Sequence, residues 1–179
     1  SCFRECESLE KVTLCEGLEV IDDYAFCKCT SLSEINFPES LKVIGKNAFD
    51  GCAMLETLKV SAESIGKSPF ANCSLLREID VCAKSIGKFA FNGCFKLEKA
   101  IIEVAEVLED DFFISCTFLS ELTLRGEIKR IGKNAFNGCT SLASVTIPNS
   151  VTSIGSGAFY ECTSLASVTI PNSVTSIGS

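Results

Sequence analysis

The 179-residue chain has no histidine, no tryptophan and a single methionine. Without an imidazole there is no His general base, no Ser-His-Asp triad and no His-containing metal site. Basic residues are in the minority, 16 Lys and Arg against 23 Asp and Glu, for a formal charge of −7. The domain-wide basic footprint of a nucleic-acid binder is therefore missing. No apolar run reaches the roughly 18 residues of a membrane span, and no signal-peptide pattern is present, so secretion is not legible from this chain. What is present is 46% hydrophobic residues at a mean hydropathy of +0.30, which suits a packed core and argues against disorder. The anomaly is 12 cysteines in a chain too long for a typical disulfide-stapled mini-protein.

An internal repeat accounts for most of them. Phe recurs at Phe3, Phe26, Phe49, Phe70, Phe91, Phe113, Phe136 and Phe159, at intervals of 21 to 23 residues. Three residues after each stands a Cys, at Cys6, Cys29, Cys52, Cys73, Cys94, Cys116, Cys139 and Cys162. Three further on stands a Leu, from Leu9 to Leu165, followed by an apolar pair at period 2 such as Val12/Leu14 or Val145/Ile147. That period is a strand. A second apolar pair follows, as Leu41/Ile44 or Val151/Ile154, and then usually Gly: Gly45, Gly66, Gly87, Gly132, Gly155 and Gly178. The Gly is expected to supply a backbone turn that a Cβ resists. Ala then Phe, as in Ala48-Phe49, is expected to open a short helical or 3₁₀ turn.

One such unit cannot bury its own apolar face, so the coils must stack, at about 4.8 Å per step, into a core of Phe, Cys and Leu ladders. Residues 1–179 are expected to form one solenoid of seven full repeats and a truncated eighth, roughly 35 Å long at that spacing. The start at Ser1-Cys2-Phe3, inside a repeat, and the identical stretches 139–155 and 162–178 suggest a fragment of a longer, recently duplicated array, or an engineered truncation of one.

The pattern Cys-Thr-Ser-Leu-x-x-Val-Thr-Ile-Pro-Asn-Ser-Val-x-x-Ile-Gly-x-x-Ala-Phe, running from Cys139 to Phe159, resembles the BspA-like (Treponema pallidum-type) leucine-rich repeat family. The resemblance covers essentially the whole chain. It implies a leucine-rich repeat solenoid of the α/β repeat class, with one parallel-sheet strand per coil plus a short second strand and a helical or 3₁₀ turn. In place of the usual closing Leu there is Cys, and the Asn that caps the strand turn is missing, with Ser40, Ser150 and Ser173 near that place. Repeats three and four are shortened to 21 residues, and in repeat five Val107-Leu108-Glu109-Asp110-Asp111 replaces the Ile-Gly turn. The family resemblance further implies a cell-surface or secreted location in mucosal bacteria and protozoan parasites, with adhesion to extracellular matrix proteins such as fibronectin or to other microbes.

The eight ladder cysteines are best read as small buried hydrophobes, inert because burial raises a thiol's pKa. Stacking brings their Cα atoms close enough for disulfides, but parallel side chains point in the wrong mutual direction. Cys2, Cys6, Cys27 and Cys29 converge at one end, where a Cys₄ zinc site or one disulfide is a secondary reading. Cys15 and Cys82 lie three coils apart and cannot meet. Asn72-Cys73-Ser74 is formally a glycosylation sequon, but its middle residue is a core position.

No acid, base or nucleophile is held by a partner anywhere in the array, so no enzyme, cofactor or metal is expected. Binding belongs instead to the concave wall of strands, whose outward columns a protein partner reads across several coils. The candidates are Glu10, Lys11, Glu34, Glu56, Lys59, Arg77, Glu78, Asp80, Glu98, Lys99 and Glu121. After Lys133 the only charged residue is Glu161, so repeats seven and eight present an uncharged face. Lys46, Lys67, Lys88 and Lys133 form a thin ridge that solvation explains better than a glycosaminoglycan. Glu103, Glu106, Glu109, Asp110 and Asp111 make an acidic cluster without the repeated pattern of a Ca²⁺ site. The competing reading is a spacer or assembly scaffold with no ligand of its own.

Overall fold

In a computed structural model, which describes residues 2–179, the chain winds into stacked coils whose strands all pair in parallel. The expected start inside a repeat falls in part on Ser1, outside the described residues. Coils are numbered one to eight by their ladder Phe. Coils one and two carry β1 (Lys11–Val12) and β2 (Val20–Ile21), then β3 (Glu34–Ile35) and β4 (Val43–Ile44). Coils three and four each carry a single nine-residue strand, β5 (Thr57–Ile65) and β6 (Glu78–Ile86). Coil five has β7 (Lys99–Val104) and β8 (Val107–Leu108), and coil six β9 (Glu121–Arg125) and β10 (Arg130–Ile131). Coils seven and eight repeat β11 (Ser144–Thr146), β12 (Ser153–Ile154), β13 (Ser167–Thr169) and β14 (Ser176–Ile177).

In coils two to eight strand length follows a single column of residues; coil one, at the end of the stack, has Cys15 there and a short first strand all the same. Pro38, Pro148 and Pro171 stand where the first strand of their coils ends, since proline cannot donate to the ladder. In coils three and four that column holds Ser61 and Cys82, so the two strands fuse into one and the repeat loses two residues. The result is a six-stranded sheet in the order β2-β4-β5-β6-β7-β9 and a four-stranded sheet in the order β14-β12-β10-β8. Between coils one and two, Asn36 extends the short pairing by accepting from the Leu14 N–H and donating to its carbonyl, both at 2.8 Å.

The core is the predicted ladder. Rings Phe3, Phe26, Phe49, Phe70, Phe91, Phe113, Phe136 and Phe159 stack with neighbouring centroids 5.2–5.6 Å apart. The extra Phe112 of coil five packs edge-on against Phe113 at 4.9 Å. Leu32, Leu55, Leu76, Leu97, Leu119 and Leu142 line the same interior.

Two expectations are corrected. The Ala-Phe segment is neither helical nor 3₁₀; it is turn throughout, and no helix occurs among the described residues. The reason is a pair of left-handed residues flanking each ladder Phe from Phe26 to Phe159. Two positions before it stand Tyr24, Asn47, Ser68, Phe89, Asp111, Asn134 and Gly157; two after it stand Glu5, Lys28, Gly51, Asn72, Gly93, Ser115, Gly138 and Glu161, all with φ between 52° and 77°. A right-handed helix cannot pass through either. The second correction concerns the Gly of the Ile-Gly pair, which needs no positive φ. It is there because coils touch: a Cβ on Gly87 would lie 2.6 Å from the Gly66 carbonyl oxygen, and one on Gly66 2.7 Å from the Lys46 nitrogen. This contact lets Gly45, Gly66, Gly87, Gly132, Gly155 and Gly178 each donate an N–H to the coil before, at 2.7–2.9 Å. In coil five Glu109 takes that place and makes no such bond; β8 pairs with β10 alone, leaving the second-strand ladder broken between coils four and five.

Candidate protein-binding face

The strand registers arrange the outward side chains into columns. Thr57, Glu78, Lys99 and Glu121 follow one another from coil to coil, as do Lys59, Asp80, Ile101 and Thr123. Lys11 faces Glu34 in the same way on coils one and two. Of the eleven charged candidates ten are exposed, and Asp80 is half-buried. The structure thus brings those of coils three to six together on one surface, while Glu10, Lys11 and Glu34 belong to the separate two-stranded sheet of coils one and two.

Column neighbours cancel one another where their signs alternate. Lys11 pairs with Glu34 at 2.8 Å, Arg77 with Glu98 at 2.7 Å and Lys99 with Glu121 at 3.8 Å. Each is a solvent-exposed pair, contributing at most about 1 kcal/mol. Among the described residues Glu10, Glu56, Lys59, Glu78 and Asp80 form no ion pair. The unpaired charge of this face is therefore net acidic and centred on coils three and four.

Sequence reasoning missed two features of this face. The column after Lys59 and Asp80, namely Ser61, Cys82, Glu103 and Arg125, is part of the same surface because β5, β6 and β7 run on without a proline. The missing prolines were the available signal. Exposed apolar residues also stand in the turns before the strands, with Met54 47%, Phe95 50% and Phe118 49% exposed and Lys96 Nζ 4.7 Å from the Phe118 ring centre. In coils two, seven and eight the equivalent sites are Thr-Ser.

Other candidate groups have local partners. In the Lys ridge, Lys88 pairs with Asp110 at 2.7 Å, while Lys46 and Lys67 lie over the rings of Tyr24 and Phe89 at 5.5 and 5.2 Å. In the acidic cluster, Arg130 binds Asp110 at 3.0 Å and Glu109 at 3.4 Å. The Asp110 carboxyl is held down at about 2, first by Lys88 and then by the Lys133 N–H and Arg130, against the opposing effect of burial. Among the described residues no group of three or more Cys, Asp or Glu side chains is arranged to hold a metal ion. Ser40 and Ser150, near the place of the absent Asn, cap the previous coil by donating to the Leu18 and Ile128 carbonyls at 2.9 and 2.8 Å.

All twelve cysteines are free thiols, and the ladder ones have a role beyond filling space. Each from Cys29 to Cys162 donates its S–H to the carbonyl of the ladder Phe one coil back, at 3.0–3.4 Å. Burial pushes the thiols of Cys52, Cys73, Cys94, Cys116 and Cys139 well above their ordinary range, and that of Cys162 to about 11. Cys2, Cys6 and Cys15 are exposed and Cys82 is half-buried.

The profile of the BspA type leucine-rich repeat region matches residues 1–117 and 106–179, in six copies. The chain belongs to the BspA-type leucine-rich repeat family. Repeats of this family are typical of protein-interaction modules and generally form non-enzymatic scaffolds. A leucine-rich repeat protein of Bacteroides ovatus is 32% identical, superposing with a TM-score of 0.93 over 99% of this chain and 47% of its own. One from Eubacterium ventriosum is 26% identical, with a TM-score of 0.86 over 94% of this chain and 46% of its own. The T. pallidum leucine-rich repeat protein is 29% identical, with a TM-score of 0.68 over 78% of this chain and 68% of its own. This BspA-type chain thus spans about half the length of the first two relatives. No curated protein matches it. No helix among the described residues is long and apolar enough to cross a membrane.

Proposed function

We propose that residues 1–179 act as one solenoid that binds a protein partner without catalysis, through the strand face of coils one to six, as a surface adhesin does. The observation that carries this reading is the excess of acid over base among the unpaired charges of coils three and four, Glu56, Glu78 and Asp80 against Lys59, while Lys11–Glu34, Arg77–Glu98 and Lys99–Glu121 pair with one another. Unpaired acid is charge available to a basic partner, and exposed Met54, Phe95 and Phe118, which precede the strands of coils three, five and six in the chain, add apolar surface. The family resemblance supports a cell-surface or secreted setting and an extracellular matrix protein, or another microbe's surface protein, as the partner. The test is a pull-down by the immobilised chain from matrix proteins, fibronectin included, repeated with Glu78→Lys. A partner retained by the wild type and lost by the variant, at equal melting temperature, supports the proposal. Equal retention by both removes the strand face as the site.

A spacer without its own ligand is the second reading, favoured by the uncharged, duplicated face of coils seven and eight. It predicts that no matrix or microbial protein is retained by the charged coils at all.

A further inference from the structure

The shortening of coils three and four leaves a groove. In coil two the chain between its strands climbs through Pro38-Glu39-Ser40, and in coil six through Gly126-Glu127. Between them β5 and β6 run straight through the same place. The two loops stand as banks, and Ser61, Ala62, Cys82, Ala83 and Ala105 make a floor of small side chains. The groove holds about 540 Å³ and shares Glu39, Ser61 and Cys82 with a second cleft of about 550 Å³ that reaches the strand face at Lys59 and Asp80. Bank to bank is four coil steps, about 19 Å at strand spacing, the span of about six extended residues.

The groove's charges favour one sign of ligand. Of its amines, Lys42 is hydrogen-bonded to Glu19 at 2.6 Å, and Lys84 lies 3.7 Å from Glu63 in an exposed pair. Glu39, Asp80 and Glu103, which line the two clefts, have no ion partner among the described residues, and behind the bank the Glu16 carboxylate of coil one accepts the N–H groups of Glu39 and Ser40. Against these three lining acids, with Glu16 behind them, stand Lys59, beside Asp80, and Arg125, beside Glu103 in the strand register. The floor strands already pair with one another, so a ligand cannot add as a strand; it must lie across them, its backbone close to the small floor residues.

We propose that this groove takes an extended basic segment of a partner protein, about six residues laid across coils two to six. The proposal rests on the protein-binding reading and narrows its partner. The groove coincides with the two shortened repeats, where single nine-residue strands replace the two short strands of the longer coils.

The probes are fluorescein-labelled octapeptides in which Lys and Arg alternate with Ala and Ser, and counterparts carrying Glu for the basic residues, titrated against the intact chain by anisotropy. The basic set should bind about tenfold or more tighter than the acidic set. Cys82→Trp fills the floor without changing charge and should weaken the basic set about tenfold or more, with Ser61→Trp as a second filling variant should the first not fold. Bound peptide should also protect Cys82 from iodoacetamide while Cys15 alkylates at its usual rate. Equal binding by the folded filling variants would reduce the effect to attraction by the −7 chain and overturn the proposal, as would absence of any peptide binding. If peptides fail while Glu78→Lys still abolishes retention of a matrix partner, the groove is wrong and the strand-face reading stands. If peptides bind but that variant has no effect, the reverse holds.

Discussion

The Cys52 thiol donates to the Phe26 carbonyl oxygen at 3.2 Å, and that oxygen also accepts the Cys29 N–H at 3.1 Å. Both lone pairs of a buried carbonyl are thereby used, one from its own coil and one from the next. This accounts for cysteine at the position: it is small and apolar enough for the core, yet it still carries a donor. Cys52→Ala removes volume and donor and should cost about 1–2 kcal/mol in urea unfolding. Cys52→Val restores volume without the donor and should still cost about 1 kcal/mol. A valine variant as stable as the wild type would mean that the thiol is filler alone.

The contact of Gly87 with the Gly66 carbonyl predicts a contrast between two glycines. At Gly87 an added Cβ has no room, so Gly87→Ala should force coil four from coil three at about 2–3 kcal/mol. It should also speed hydrogen exchange of the residue 87 N–H, which bonds the Ile65 carbonyl at 2.9 Å. At Gly17 no atom lies within 4 Å but φ is +95°, so Gly17→Ala meets only the conformational penalty, about 1 kcal/mol. Comparable exchange rates at residue 87 in wild type and variant would contradict the close-approach account.

The core was legible because side-chain periods survive translation into space. Leu142, Val145 and Ile147 point inward at strand period, and the Phe and Cys ladders stack as their spacing requires. The turn around each Phe was not legible as left-handed, because Tyr24, Lys28 and Phe89 occupy a conformation that their side chains resist. Gly51, Gly93 and Gly138, aligned two residues after Phe, and Asn47 and Asn134, two before, carried the signal. The wall of charge was readable residue by residue. Its pairing was not: only the register that sets Arg77 against Glu98, and leaves Glu78 free, decides which charges stay unpaired.

The buried thiols make the fold sensitive to base. Their ordinary pKa is 9.0 and burial raises it in Cys52, Cys73, Cys94, Cys116 and Cys139. A folded pKa above the unfolded one means stability is complete below pH 9 and falls as the pH rises, because the unfolded chain releases protons that the folded one retains. Each such thiol should contribute about 1.4 kcal/mol of loss per pH unit. Unfolding free energies measured from pH 8 to 10.5 should therefore drop steeply, and Cys94→Ala should have a shallower slope by about one thiol's share. Parallel slopes for variant and wild type would show that the ladder is not what titrates.

The opposite sign applies to Asp110, which receives Lys88 Nζ at 2.7 Å, the Lys133 N–H at 2.9 Å and an Arg130 guanidinium N–H at 3.0 Å. These donors, Lys88 foremost, bring its carboxyl from 3.8 to about 2. The folded pKa lies below the unfolded one, so the stability it confers is complete above about pH 4 and is lost as the pH falls through 2. Because its partners are partly in solvent, the contribution is about 1–2 kcal/mol rather than the full equivalent of the shift. Asp110→Asn should lose that amount at pH 7, leaving Lys88 and Arg130 without their shared carboxylate where the second-strand ladder is already broken. The gap between variant and wild type should narrow from pH 4 to pH 2, as protonation does to the wild type what the substitution does permanently. Urea unfolding at pH 7, 4, 3 and 2 measures it, and a gap as wide at pH 2 as at pH 7 would place the effect in packing rather than in charge.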